Sequence, residues 1–335
     1  MQYARLGKSG LKVSKIILGG MAFGNPNWEG SPWTLNEEES MKVIKRAWDL
    51  GINTWDTANT YSNGESERIL GKFLTKYGIR REKVVILTKV YYPVMDDESR
   101  PQPVDPYDAR LVNQMGLSRK HIFDAVEGSL RRLGTEYIDV LQLHRLDRET
   151  PPEEIMRALH DLVCMGKVRY LGASSMYTWE FARLQYTVLM NNWTPFTSIQ
   201  PFYNLLYREE EREMLPFCVS QGIGIIPWSP LARGLLGRPV DQTSSRNEAD
   251  AKTKKWFGDA NPEIIRWVEE VAKRKGVSMA SIATAWVLRK GCCPIVGLTS
   301  VKRVEQIMEA LGVGLSDDEC KVLEAEYRPR AVQAM

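Results

Sequence analysis

IDVLQLHRLDRETPPEEIMRALHDLVCMGKVRYLGAS, residues 138–174, reads as strand, helix, strand. Its ends, IDVLQLH (138–144) and VRYLGAS (168–174), are short runs rich in Ile, Val and Leu without clean alternation. Strands covered on both faces read this way. Between them PPEEIMRALHDLVCMGK opens on prolines, which suit a first helical turn, because proline's missing N–H is not needed there.

The same unit recurs along the chain. Further strand candidates are KIILG (15–19), NTWDT (53–57), VVILTK (84–89), TSIQPF (197–202), IGIIPWS (223–229) and CPIVGL (293–298), which makes eight in all. Helical patterns separate them. EEESMKVIKRAWDLG follows Asn36 as N-cap and stops at Gly51; SRKHIFDAVEGSLRRLG runs from Ser118 to Gly134. SERILGKFLTKYG, TWEFARLQYTVLMNN, REEEREMLPFCVSQG, NPEIIRWVEEVAKRKG and SVKRVEQIMEALG fill the other gaps, and SMASIATAWVLRKG adds a helix before the last strand. Eight β/α repeats predict an α/β fold, one (β/α)8 TIM barrel, with residues 1–335 as a single domain. An open doubly wound sheet is the alternative, and no G-x-G-x-x-G follows the first strand to support it. The opening MQYARLGKSGLKVS reads as a hairpin capping one mouth. Long loops follow strands one (21–36), three (91–117) and seven (230–260), where barrels carry function.

Composition narrows the function. The 335 residues are 43% hydrophobic and 26% charged, as in ordinary soluble globular proteins. A net charge of +3 with both signs dispersed argues against nucleic acid and leaves room only for a local basic pocket. Cys164, Cys218, Cys292, Cys293 and Cys320 show no C-x-x-C spacing, which fits reduced thiols, a cytoplasmic location and no metal site. The N-terminus has no apolar signal core, and no run is long enough to span a membrane.

A barrel gathers the C-terminal ends of its strands around one mouth. Asp56, Lys89 and His144 end the second, third and fourth strands, and Tyr61 follows in the loop after Asp56. Alone, each has an ordinary reading: turn cap, packing, solvated strand end, core histidine. Together at one mouth they form a proton donor for reducing a carbonyl. A phenol ordinarily titrates near pH 10, and a neighbouring ammonium favours its anion. Two unit charges about 4 Å apart at an effective dielectric of about 20 interact by roughly 4 kcal/mol, so a fall of a few pKa units is the ceiling. Asp56 would hold Lys89 charged, and His144 would orient the substrate oxygen.

These contexts resemble the aldo-keto reductase superfamily. The matching blocks are LGKSGLKVSKIILGGMAFG, GINTWDTANTYSNGESE, LTK, IDVLQLHR, GKVRYLGASS, SIQPFYNLLYRE and IIPWSPLARGLL, in the family's order over residues 3–325. The chain looks most like microbial and fungal members, including aryl-alcohol dehydrogenases and versiconal hemiacetal acetate reductase-like enzymes. The resemblance implies an NADPH-dependent reductase with Tyr61 as general acid, Asp56 and Lys89 tuning it, and His144 positioning the carbonyl. It implies Ser174 and Gln200 on the nicotinamide carboxamide, Trp228 stacked on the ring, and Gly20, Met21 and Asp56 beside the cofactor. Ser229, Leu231, Arg233 and Gly234 would hold the pyrophosphate. Ser175 stands where many members have Asn.

At the adenosine end, GLTSVKRVEQ puts Thr299, Ser300 and Arg303 in a first helical turn, with Lys302 and Gln306 nearby. A helix start favours an anion, and Arg303 would fork onto a 2′-phosphate, which favours NADPH over NADH. Gln306-Ile307 replaces the family's frequent Glu-Asn, and Arg246 would cover the adenine from the long loop. Phe23, Trp28, Trp33, Tyr91, Tyr92, Tyr177 and Phe202 are the expected substrate wall, suited to an apolar or aromatic small-molecule carbonyl. Two other readings stay open: a cofactor-binding sensor like the channel-associated relatives, and a barrel isomerase or aldolase using Lys89 as a Schiff base. Asp56 argues against the second by keeping Lys89 charged. Oligomeric state is not readable.

Overall fold

Strands β1 (Tyr3–Arg5) and β2 (Lys12–Ser14) pair antiparallel as the expected hairpin. The computed structural model describes residues 1–27, 33–95, 108–242 and 250–333. The remaining strands are β3 (Ile17–Gly19), β4 (Thr54–Asp56), β5 (Val85–Val90), β6 (Ile138–Leu143), β7 (Val168–Ser174), β8 (Phe196–Gln200), β9 (Gly224–Ile225) and β10 (Ile295–Gly297). They form one parallel eight-stranded sheet in the order β10-β3-β4-β5-β6-β7-β8-β9. The ring closes between its first and last members. Cys293 N donates to Ile225 O and Ile295 N to Pro227 O, each at 2.9 Å, and Trp228 bridges Ile295 in parallel. The fold is the expected (β/α)8 barrel.

Side-chain alternation divides the sheet's residues between two apolar clusters. Val85 and Leu87 of β5 and Val140 of β6 point into the barrel, with Ile17, Ile226 and Ile295. Ile86, Val90, Leu141 and Leu143 point outward against the helices. A step of two along the inward face leads from Leu87 to Lys89, and from Val140 through Gln142 to His144. The barrel is therefore apolar below and polar at its C-terminal mouth.

The hairpin plugs the lower end. Leu6 and Val13 are fully buried in the inner cluster. Burying a side chain such as Leu6 is worth about 1.5–3 kcal/mol. The hairpin turn lies so close to Gly222 that a Cβ on Gly7, at φ +58°, would sit 2.4 Å from the Gly222 carbonyl oxygen.

Helices α1 (Glu37–Asp49), α2 (Glu65–Lys76), α3 (Arg119–Leu133), α4 (Pro152–Cys164), α5 (Thr178–Asn191), α6 (Met214–Gln221), α7 (Ala251–Phe257), α8 (Pro262–Lys275), α9 (Met279–Arg289), α10 (Val301–Met308) and α11 (Asp317–Ala325) surround the sheet. Asn36 and Ser118 cap α1 and α3 as expected, and Pro152 starts α4. Two readings change. The expected helix from Arg208 is a single 3-10 turn, Glu209–Glu211, with α6 starting only at Met214. Pro216 lacks an N–H and sits in the first turn of α6, where none is needed. The loop after β9 contains α7, and α11 follows the last expected helix on a Ser316/Glu319 capping box. Among the described residues no helix is long and apolar enough to cross a membrane.

Candidate active site

The inward polar residues meet a cavity of about 770 Å³ at the C-terminal mouth. Asp56, Tyr61, His144, Ser174, Gln200 and Trp228 line it. Lys89 is buried behind this wall, where its ammonium donates to Asp56 Oδ2 at 2.6 Å, the Thr57 carbonyl at 2.8 Å and the Tyr61 hydroxyl at 3.1 Å. Asp56 Oδ1 accepts from the side-chain amides of Gln142 and Gln200, both at 2.9 Å. The acid is held from both sides, and Gln142, which sequence reasoning passed over, is one of its anchors. Its position two residues before His144 was the available signal.

Tyr61 sits where its loop is tightly tied. Ser62 and Asn63 adopt positive φ, at 48° and 53°. Asn63 exchanges two hydrogen bonds with the Met95 backbone, and Ser62 Oγ accepts from Asn25 N at 2.8 Å. Asn59 donates to the Tyr92 carbonyl at 2.8 Å. The His144 ring meets Tyr61 and Tyr92 edge-on, with centroids 5.7 and 5.3 Å away.

Charge states follow from this burial. Desolvation pushes the Tyr61 phenol above its ordinary value, and the opposing pull of Lys89 does not overcome it. This corrects the expected fall: at this partly buried site a phenolate loses more from leaving water than one ammonium returns. Desolvation works against the Lys89 ammonium as well, but Asp56 and Tyr61 more than offset it, and its pKa rises. Burial holds His144 well below the imidazole range, helped by the charges of Arg145 and Lys89, so the ring is neutral. Its Nδ1 is buried without a partner among the described residues.

Further round the mouth, Ser174 Oγ donates to the Gln200 carbonyl at 2.9 Å. Trp228 stacks one face on Phe202, with centroids 4.3 Å apart, and its indole N–H donates to Ser175 Oγ at 3.0 Å. Ser175, at φ 49°, thus sets the indole's orientation. Met21, Ser229, Leu231, Arg233 and Gly234 line the cavity, as do Thr299, Arg303, Gln306 and Ile307 at its far end.

Several expected residues stand elsewhere. Phe202 is buried behind Trp228 and Phe23 is fully buried in the outer core, so neither walls the cavity. Both follow a strand end closely enough to be drawn into packing. Gly20 is buried in a 3-10 turn with its carbonyl taken by Ser66 Oγ at 2.8 Å, while Gly19 and Met21 reach the cavity instead. Ser300 spends its hydroxyl capping α10. The Arg233 guanidinium is paired with Asp250 Oδ2, its Nε at 2.5 Å, so its charge is already offset. Tyr177 is exposed beside Arg148, and Tyr91 packs on Tyr92. Trp33 and Tyr92 line the cavity. Trp28 and Arg246 lie outside the described residues.

The wall also holds residues the sequence reading did not select: Arg145, Arg238, Lys252 and Trp256. Among its described residues five are cationic (Arg145, Arg233, Arg238, Lys252 and Arg303) and only Asp56 is acidic. Such a cavity suits an elongated anionic ligand.

The profile of the aldo/keto reductase family matches residues 15–328. Versiconal hemiacetal acetate reductase of Aspergillus parasiticus is 50% identical over 341 residues, covering 99% of this chain and 98% of that protein. A putative aryl-alcohol dehydrogenase of Schizosaccharomyces pombe is 50% identical over 343 residues, covering 99% and 97%. An aldo-keto reductase of Alternaria alternata, AFTS1, is 49% identical over 342 residues, covering 99% and 93%. With the profile matched along nearly the whole chain and about half its positions shared with these proteins, the chain belongs to the aldo/keto reductase family.

Proposed function

We propose that this oxidoreductase, whose family acts with a nicotinamide cofactor on small carbonyl compounds, uses NADPH to reduce an apolar or aromatic aldehyde or ketone, with Tyr61 as the proton donor. The observation that carries the reading is the chain Asp56–Lys89–Tyr61, at 2.6 and 3.1 Å, opening beside a neutral His144.

The residues present fit the cofactor. The Trp228 indole, backed by Phe202 and oriented by Ser175, offers a flat bed for a nicotinamide ring. Gln200 Oε1 has no protein donor among the described residues and is left for a ligand amide, beside the Ser174 hydroxyl. At the far end Arg238 has a buried Nη1 without a partner among the described residues. Burial and then the Arg303 charge lower the Arg238 pKa, which describes two guanidiniums in want of an anion. A 2′-phosphate supplies one, and this is the ground for NADPH over NADH. Once bound, the dihydronicotinamide supplies a hydride to the carbonyl carbon.

The chain's own part is proton delivery. Burial keeps the Tyr61 phenol protonated at neutral pH, so the donor is loaded before reaction. A carbonyl oxygen gaining negative charge becomes more basic than a phenolate, and the proton then passes from Tyr61 to it. Lys89, 3.1 Å away, stabilises the phenolate left behind. The neutral His144 ring can donate a hydrogen bond to the same oxygen without competing as an acid. Tyr61→Phe keeps the ring packing and removes the proton. Its kcat for a panel of aromatic aldehydes should fall about 10²–10⁴-fold. Near-wild-type turnover in that variant would sink the mechanism.

A further inference from the structure

Two of the cavity's five cations have no ion-pair partner among the described residues, and they stand at the reactive end. Arg145 follows His144 directly and donates to its carbonyl at 2.6 Å; Lys252 lies on α7 across the mouth. No carboxylate among the described residues pairs with either. The contrast with the other charged wall residues is direct: Arg233 is paired with Asp250, and Asp56 with Lys89. Arg238 and Arg303 act on one another at the far end.

We infer that Arg145 and Lys252 form a seat for an anionic group on the carbonyl substrate, so that the preferred substrate is an aromatic aldehyde or ketone bearing a carboxylate or similar acid. This rests on the reductase reading above and names its substrate class. Position carries the inference. Both residues line the cavity with Tyr61, His144, Tyr92 and Trp256, so a ring between these aromatics would place a substituent within their reach. The electrostatics agree. The Arg145 charge is felt at Tyr61, His144 and Lys252, and the Lys252 charge at His144. Lys252 stays open to solvent at the rim, yet partial desolvation, then Arg233 and Arg145, lower its proton affinity by more than Asp250 raises it. An anion bound between the two cations would relieve that repulsion.

The test compares 4-carboxybenzaldehyde with its methyl ester, both reduced with NADPH at low ionic strength. The wild-type enzyme should favour the acid about ten-fold in kcat/KM, chiefly through KM, and the preference should shrink as salt is added. Lys252→Met and Arg145→Met should each bring the acid-to-ester ratio toward one. Lys252→Arg should restore it, an outcome that a merely structural role would not give. The NADPH dissociation constant, from quenching of tryptophan fluorescence, should change less than the acid's KM. Reduction of both aldehydes without preference overturns the seat alone. A Lys252→Met variant that loses NADPH affinity while keeping the substrate ratio also overturns it, by assigning the charge to the cofactor. Failure to reduce either aldehyde overturns the reductase reading and the substrate assignment with it.

Discussion

Replacing Lys89 with methionine keeps the length of a buried side chain and deletes its charge. In the intact protein the ammonium stands 3.1 Å from the Tyr61 hydroxyl and 2.6 Å from Asp56 Oδ2. At 3.1 Å and an effective dielectric of about 20, the attraction between the ammonium and a Tyr61 phenolate is about 5 kcal/mol at most. That ceiling corresponds to roughly four pKa units, enough to cost catalysis about 10²–10⁴-fold. The Tyr61 pKa, already raised by burial, would rise further, with only the weaker pull of Arg145 left to oppose it. Alcohol oxidation, which needs the phenolate, should therefore require higher pH, and the acidic limb of its rate profile should move up by at least one unit.

Stability separates from catalysis in this experiment. Lys89→Met leaves the Asp56 carboxylate buried with only the Gln142 and Gln200 amides, and breaking a buried pair costs about 3–5 kcal/mol. The double variant Asp56→Asn/Lys89→Met removes both charges and should regain most of that loss in urea denaturation. Its kcat should stay as low as that of the single variant. Carbonyl reduction by Lys89→Met within three-fold of wild type, or an unmoved oxidation limb, would refute the electrostatic role of Lys89.

Other expectations follow from neighbouring contacts. Ser175→Ala removes the acceptor of the Trp228 indole N–H; the lost orientation should weaken NADPH binding about ten-fold, read by fluorescence quenching, with the secondary structure unchanged. Arg238→Leu should raise KM for NADPH about ten-fold or more and leave KM for NADH within two-fold; equal effects on both would remove Arg238 from the 2′-phosphate. His121 is buried on α3, and desolvation pushes its pKa down to about 4. The unfolded chain binds that proton near pH 6.5, so the His121 contribution is full above about 6.5 and is lost as pH falls toward 4, by about 3 kcal/mol at most. Replacing His121 with Gln should flatten the wild-type loss of stability between pH 7 and 4.5, and an unchanged slope would contradict the assignment.

Patterns with a short physical range were readable from the chain. Ile138–Leu143 and Val168–Ser174 are strands because apolar runs of that length, flanked by a capped amphipathic helix, have one way to be covered on both faces. Asn36 and Ser118 cap helices through side-chain oxygens a few residues from the N–H groups they satisfy. The tetrad is similarly legible, because a parallel barrel turns the order of strand ends into a ring. What failed depends on packing between distant segments. Phe202 had an open mouth or the Trp228 face to choose from, and stacking at 4.3 Å took it away from the cavity. Arg233 was read as a free charge because Asp250 lies 17 residues on, beyond any local pattern.

The sign of the Tyr61 shift shows the same limit in electrostatic form. Sequence identifies the partner, since Lys89 ends the next strand and must reach the same mouth. It does not identify how much water is removed, because that depends on every segment that closes over the hydroxyl. Here the His144 ring packs edge-on against the Tyr61 ring, and Tyr92 packs on His144 in turn. Burial penalises the phenolate more than one ammonium rewards it, so the phenol stays neutral. On the mechanism proposed above, this outcome favours reduction: a donor that keeps its proton until the substrate oxygen becomes basic is better placed than one half ionised beforehand. Lys89 is then read as stabilising the phenolate that proton transfer leaves, while at neutral pH the resting phenol stays protonated.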